Sequence, residues 1–359
     1  MSNEQHRFID VLDDMSNGKD VFFQLVHHVQ DVMTENVKTL TLDDTIEASL
    51  GFMKENRVRH IPVIDSPTGK EGKQYFVGIV SQRDVFRQIS PYVGKIGALD
   101  SDFKALKQPL VQIITRNPKS VSPETPIAEA ITIMVDNHID MLPVLSGQDL
   151  TGVVTSTDIL KLFVRLSAIC QLCRKKEKKV QRRRFIDLLS GNSEKAMVGL
   201  STVLRTVEDI MTEQVVSLER QDTTAKAMEA MQEGNFRHVP IVEKQKRLVG
   251  IVSDRDILRH LPFHSKQFKP ETKVFRARLF DVTLSDPAKQ QELHHVMKRD
   301  VIHVLPNCDF YDAVEMLYDM KISCLPVTDE KKNLLGIVTV TDVMCGLLAV
   351  YALFDKTNS

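Results

Sequence analysis

No apolar run in this chain reaches the roughly 18 residues that a membrane-spanning helix requires, so no membrane association is expected. The longest candidate, Leu347 to Phe354, sits between Cys345 and Asp355 and reads as a buried helix end. The opening stretch, Met1 to Asp14, is polar and lacks the apolar centre of a signal peptide. Cysteine is scarce: Cys170, Cys173, Cys308, Cys324 and Cys345 are odd in number and fall late, which excludes a disulfide framework and points to a reduced, cytoplasmic protein. Charge of one sign is also missing. With 47 Lys+Arg against 48 Asp+Glu, the net charge of -1 argues against a general binder of nucleic acid or membrane surfaces. Gly-x-Ser-x-Gly, Walker and His-Glu-x-x-His motifs are absent, so no enzyme is expected unless a nucleotide cleft hydrolyses its own ligand. What remains is a chain of 359 residues, 42% hydrophobic and 26% charged. That rules out a mostly disordered protein and supplies enough apolar material for a buried core.

Self-similarity organises the chain. One closing string recurs four times: Gly78-Ile-Val-Ser81-Gln-Arg-Asp84, Gly152-Val-Val-Thr155-Ser-Thr-Asp158, Gly250-Ile-Val-Ser253-Asp-Arg-Asp256 and Gly336-Ile-Val-Thr339-Val-Thr-Asp342. Each follows a short apolar segment around a proline: Arg59-His-Ile-Pro62-Val, Asp140-Met-Leu-Pro143-Val, Arg237-His-Val-Pro240-Ile and Ser323-Cys-Leu-Pro326-Val. An opening string precedes these, as Val32-Met-Thr34, Ile113-Ile-Thr115, Ile210-Met-Thr212 and Val296-Met-Lys298. Units one and three share Ser-x-Arg-Asp and Arg-His; units two and four share Thr-x-Thr-Asp. The leader Phe8-Ile-Asp-Val-Leu12 also returns as Phe185-Ile-Asp-Leu-Leu189, so a pair of units was duplicated.

Within a unit the local signals agree. Val37 to Leu42 is strand-like, and Asp43-Asp44-Thr45 caps a helix carrying Ile46, Leu50 and Met53, ended by Asn56 and Arg57. Ile61 to Ile64 and Phe76 to Val80 read as buried strands joined by a surface loop, Ser66 to Lys73. A second helix then runs through Val85, Phe86 and Ile89. The order is strand-helix-strand-strand-helix, an α/β unit of about 60 residues that is marginal alone, so units are expected to pack in pairs.

The closing string has two readings. Ser81 as N-cap and Asp84 three residues on form a capping box. A carboxylate at a helix start can also accept hydrogen bonds from both ribose hydroxyls of a nucleotide, each worth about 1.5–3 kcal/mol. The Ser/Thr hydroxyl suits a sugar or phosphate oxygen. Arg59 and His60, or Arg237 and His238, would supply cations for phosphate, and Val37, Ile61 and Pro62 would flank a base. Both roles fit one residue, with Ser capping and Asp facing a cleft.

Four units with this Met-Thr opening, His-x-Pro-Val centre and Gly-h-h-Ser/Thr-x-x-Asp close resemble CBS (cystathionine-beta-synthase) domains paired into two Bateman modules, a layout similar to the gamma subunit of AMP-activated protein kinase and to stand-alone four-CBS proteins. The resemblance places units at 31–92, 108–168, 206–263 and 292–352, with a leader helix at 1–30 and a basic linker with a second leader helix at 169–205. It implies regulatory binding of AMP, ADP or ATP between paired units, no metal, and an output partner protein, with a homodimer left open. Carried over, the ribose candidates are Asp84, Asp158, Asp256 and Asp342, beside Ser81, Thr155, Ser253 and Thr339, with Thr34 and Thr212 from the opening strings. Arg83, Thr157, Arg255 and Thr341 complete the closing strings. Val215, Val239 and Pro240 are the counterparts in unit three of Val37, Ile61 and Pro62. Unit two carries Asp140 and Met141 in place of Arg-His, so phosphate there needs cations from another unit; unit four has Lys298 for Thr. The sites of units one and three rank first.

The other signals read as structural. Arg174 to Arg184, eight basic residues against one acid, is an exposed inter-module helix before it is a nucleic-acid patch. Cys170-x-x-Cys173 has no second ligand pair. The adjacent pairs His27-His28 and His294-His295 do not share a helix face. Met228, Met231, Met316 and Met320 have core spacing.

Overall fold

Alternation along a strand decides which side of each proline segment becomes core: Ile61 and Val63 are fully buried against the unit-one helix, while Pro62 between them points the other way, into a cleft. The computed structural model describes residues 27–65, 75–88, 103–162, 164, 205–260, 263–265, 282–284 and 290–355. The leaders, the Ser66–Lys73 loop, Ile89, Cys170, Cys173 and the basic run lie outside the described residues.

Unit one contains β1 (Thr34–Glu35), β2 (Leu40–Thr41), α1 (Ile46–Asn56), β3 (His60–Asp65), β4 (Tyr75–Ser81) and α2 (Gln82–Phe86). Unit two contains β5 (Thr115–Arg116), α3 (Ile127–Asn137), β6 (Met141–Ser146), β7 (Asp149–Thr155) and α4 (156–162). Unit three has β8 (Leu218–Glu219), α5 (Thr224–Glu233), β9 (His238–Glu243), β10 (Arg247–Ser253) and α6 (Asp254–His260). A hairpin of β11 (Phe263–Ser265) and β12 (Val282–Leu284) follows, and unit four supplies α7 (Phe310–Asp319), β13 (Cys324–Thr328), β14 (Leu334–Thr339) and α8 (Val340–Asp355). The expected strand-helix-strand-strand-helix order is present, with the first strand shorter than Val37–Leu42 and reduced to single parallel bridges, Val121 to Val144 and Val304 to Val327, in units two and four.

Helix starts and stops follow local chemistry. The Thr45 hydroxyl accepts the Ala48 N–H at 3.1 Å to start α1, and Thr223 does the same for Lys226 at 3.3 Å to start α5. After the first helix of each unit one non-glycine residue takes the left-handed conformation: Arg57 (φ 54°), His138 (φ 51°), Asn235 (φ 52°) and Lys321 (φ 52°). The following N–H closes back onto the helix in three of them, as Val58 to the Met53 carbonyl at 3.1 Å, Ile139 to Met134 at 3.0 Å and Phe236 to Met231 at 3.2 Å.

The pairing of units is an exchange. β1 of unit one adds to β7 of unit two, and β5 of unit two adds to β4 of unit one. Bridges from Thr212 to Ile337 and from Lys298 to Ile251 repeat this in the second pair. The apolar turns just ahead cross as well: Leu110, Ile113 and Ile114 complete the core of unit one, and Leu293, Val296 and Met297 that of unit three. A lone unit lacks part of its core, which is why the duplication is of pairs. The glycine of the closing string records the crossing. A Cβ on Gly78 would collide with the Thr115 carbonyl, and one on Gly152 would lie 2.8 Å from the Thr34 carbonyl. A bulge in each hairpin falls just before this glycine.

The two pairs then pack on each other. α3 lies on α8, and units two and four share one continuous core containing Ile131, Met134, Val314, Leu317 and Leu347. α2 lies on α6, where the Arg259 guanidinium sits 4.9 Å from the Phe86 ring centroid. Leu347 is fully buried in α8, which ends at Asp355, matching the reading of that run as a buried helix end. No helix among the described residues is long and apolar enough to cross a membrane.

Candidate functional site

Each closing string forms the capping box, with one carboxylate oxygen doing the capping. Asp84 Oδ2 accepts the Ser81 N–H at 3.0 Å and its hydroxyl at 2.6 Å, while the Ser81 oxygen accepts the Asp84 N–H at 3.3 Å. The same three bonds recur between Thr155 and Asp158, Ser253 and Asp256, and Thr339 and Asp342. The second oxygen is turned elsewhere. Asp158 Oδ1 accepts the Thr34 hydroxyl from the paired unit at 3.3 Å, and Asp256 Oδ1 lies 3.7 Å from Lys298 Nζ, again from the paired unit. Burial pushes the Asp158 and Asp342 carboxyls up from their ordinary value, opposed by bonds from Thr155 and Thr34, and from Thr339 and Thr212.

Each of these carboxylates lines its own cavity. The volumes are about 170 Å³ at Asp84, 430 Å³ at Asp256, 330 Å³ at Asp342 and 440 Å³ at Asp158. The contributions cross between units, because the strands do. Thr34, Val37, Arg59, His60 and Pro62 of unit one meet Thr155, Thr157 and Asp158 of unit two. Thr212 and Val215 of unit three meet Thr339, Thr341 and Asp342 of unit four, with Arg237, His238 and Arg255 on the same walls. Ser81, Arg83 and Asp84 face Thr115 of unit two, and Ser253, Arg255 and Asp256 face Lys298 of unit four. Thus Arg59 serves the Asp158 and Asp256 cavities, and the cations expected from elsewhere for unit two are Lys38, Arg57, Arg59 and Lys321. Two expected wall residues lie elsewhere: Ile61 and Val239 are fully buried core side chains, placed there by strand alternation. Pro240 is buried and lines none of the four cavities.

Between the cavities, charged side chains from three units interlock. Arg83 Nε donates to Asp254 Oδ2 at 2.5 Å, joining units one and three, and Arg237 Nη1 donates to Asp140 Oδ2 at 2.7 Å, joining units three and two. Arg237 also donates to the His138 carbonyl. Burial disfavours the Asp140 charge, yet Arg237 and Arg83 hold its carboxyl well below the usual range. Burial lowers His60 and His238 to about 4, so both rings are neutral at pH 7. Burial, with Arg83 and Arg59 alongside, brings Arg255 down to about 10.

The sequence named Arg57 only as a helix end and did not place it or the other left-handed residues after the first helices, His138, Asn235 and Lys321, at a site, yet all four line cavities. Their equivalent positions in the repeat were the available signal. The remaining candidates behave structurally. Burial pushes the described cysteine thiols up, Cys324 to about 12, so none is a poised nucleophile. Met231 is core, but Met320 is 50% exposed, because it caps the end of α7 rather than facing inward. Among the described residues no group of three His, Cys, Asp or Glu side chains has the arrangement of a metal site.

Residues 29–91, 110–165, 207–262 and 293–348 match the CBS domain family, more than half the chain. Uncharacterized protein MJ1404 of Methanocaldococcus jannaschii is 24% identical over 317 residues, 88% of this chain and 61% of its own length. The chain therefore spans about three fifths of that relative. Uncharacterized protein MJ1225 of the same organism is 24% identical over 232 residues, 65% of this chain and 69% of its own. The crystal structure of MJ1225, which has been put forward as an archaeal homologue of g-AMPK, superposes with a TM-score of 0.56 at 19% identity, covering 89% of this chain and 99% of that one. With four closing strings, exchanged opening strands and four family matches in register, the chain belongs to the CBS-domain family.

Proposed function

We propose that this chain is a regulatory sensor of adenosine compounds, taking AMP, ADP or ATP in one or more of its inter-unit clefts, with the ribose of each bound compound at Asp84, Asp158, Asp256 or Asp342. The observation that carries the reading is the division of labour within each carboxylate: Oδ2 caps a helix while the same side chain borders an open cavity whose facing wall comes from another unit. Three of the cavities fall within the range of about 300–1,000 Å³ usual for small-molecule sites. That open space favours a sensor over a scaffold with closed clefts. Because every cleft has walls from two or more units, a ligand that binds one arrangement better shifts the angle between units by its differential affinity, which a partner protein reads.

Isothermal titration of the full chain with AMP, ADP and ATP tests this. At least one is expected to bind and, at a hundredfold excess over Kd, to stabilise the fold by about 2.7 kcal/mol in a thermal-shift assay. An Asp→Asn change keeps an oxygen for the cap and removes the charge, and is expected to abolish binding only at the cavity that the changed residue lines. Absence of heat and of thermal shift with all three nucleotides overturns the proposal.

A further inference from the structure

The four cavities fall into two pairs, each pair sharing one wall. Arg57 to Arg59 and Lys321 to Ser323, the helix ends of units one and four, border both the Asp158 and the Asp256 cavities. His138 to Asp140 and Asn235 to Arg237, the helix ends of units two and three, border both the Asp84 and the Asp342 cavities. Contacts hold each shared wall together: Arg59 Nη2 donates to the Lys321 carbonyl at 2.7 Å, and Asn235 Nδ2 lies 2.5 Å from His138 Nε2.

The walls differ in charge. Seven basic side chains border the Asp256 cavity against two acidic ones, and four against two border the Asp158 cavity. At Asp84 the ratio is three to two, and at Asp342 two to two. The partners sharpen this contrast. On the first wall Arg59 is held by a backbone carbonyl, and beside it in the Asp158 cavity Lys38 is held by the Asn56 amide oxygen at 2.8 Å, both neutral acceptors, while Lys298 of the Asp256 cavity lies 3.7 Å from Asp256 Oδ1. On the second, Arg237 is bound by Asp140 and Arg83 by Asp254, while Arg87 Nη1 lies 3.9 Å from Asp84 Oδ1. A phosphate chain at the second wall would have to displace a carboxylate or sit beside one; at the first wall it meets cations only partly offset. What the Asp84 cavity does offer is Arg83 Nη2, a buried donor with no acceptor among the described residues, suited to a neutral hydroxyl or ring nitrogen.

We infer that the Asp158 and Asp256 cavities take an adenosine compound bearing a phosphate chain, whereas the Asp84 and Asp342 cavities take one without net negative charge. The inference rests on the adenosine reading above. The direction of the Arg59 shift agrees with it, since burial, with Arg83 and Arg259 nearby, lowers a guanidinium that Asp140 only partly supports.

The test is calorimetric titration of the full chain with two probes, ATP and adenosine. ATP binding is expected to vanish in Asp158→Asn/Asp256→Asn and persist in Asp84→Asn/Asp342→Asn, while adenosine still binds the former variant. Lys321→Glu reverses one charge in both cavities of the cationic pair, at an exposed residue whose backbone carbonyl makes its contact with Arg59. It is expected to weaken ATP at least tenfold, about 1.4 kcal/mol, and to leave adenosine within twofold, with a thermal melt confirming the fold. Loss of ATP in the Asp84/Asp342 variant, or ATP affinity within twofold in Lys321→Glu, overturns the division while the adenosine reading stands. Binding of neither probe to the unmutated chain overturns both.

Discussion

At the scale of single residues the informative groups are those whose protonation the fold constrains. His60 and His238 are held neutral by burial, with folded values of about 4 against an ordinary 6.5. The unfolded chain therefore takes up more protons between these values, and stability falls as pH drops from about 6.5 toward 4. Asp140, Arg83, Arg237 and Arg255 surround His60, and of these Asp140, Arg83 and Arg255 keep their charge in that window. The expected loss is about 3 kcal/mol per histidine at the acid end, read from urea midpoints across the range. His60→Gln and His238→Gln should each flatten the profile. The capping carboxylates make a second residue-scale expectation. Asp256 is 4% exposed and binds both the Ser253 N–H and hydroxyl, so Asp256→Ala should cost about 1–2 kcal/mol by chemical denaturation even without ligand.

At the scale of elements the crossing strands set the tolerance of the repeated glycine. Alanine at Gly78 pushes a Cβ into the Thr115 backbone carbonyl, which cannot yield without breaking the β4–β5 pairing. At Gly250 the nearest atom is the flexible Met297 Sδ at 2.6 Å and the Lys298 carbonyl stands off at 3.1 Å. Gly78→Ala should therefore destabilise by about 3 kcal/mol, with Gly250→Ala nearer 1 kcal/mol. A reversed order in thermal or urea unfolding would mean that the exchanged strands are not what demands glycine. Much of this level was legible early. The helix start at Thr45, its end at Arg57, the capping box and the hairpin around Pro62 all rest on chemistry within a few residues of sequence. The side-chain alternation that sends Ile61 to the core and Pro62 to a cleft was available in the same strand; the expectation that both line a wall overlooked it.

At the scale of the whole molecule the Arg83–Asp254 pair joins the first pair of units to the second, with Asp254 only 1% exposed. Arg83→Met leaves that carboxylate buried without its countercharge, and a loss of about 3–5 kcal/mol is expected. Arg83→Met/Asp254→Leu should recover most of it. A double-mutant cycle with no coupling would show that this ion pair does not help to hold the two pairs together.

The repeat, the pairing of units and the four acidic candidates come from patterns a few residues long, because capping, strand alternation and turn chemistry act locally. Which residues share a cleft does not. Thr34 meets Asp158, Arg59 borders the cavities of units two and three, and Lys321 of unit four completes a wall with Arg57 of unit one, since opening strands are exchanged and the helix ends converge across the interface between pairs. The sequence named Arg59 and His60 as neighbours on one strand; only the packing of four incomplete cores against one another sends Arg59 to the Asp158 and Asp256 cavities, sets His60 between the Asp84 and Asp158 cavities, and gives the cavities unequal charge.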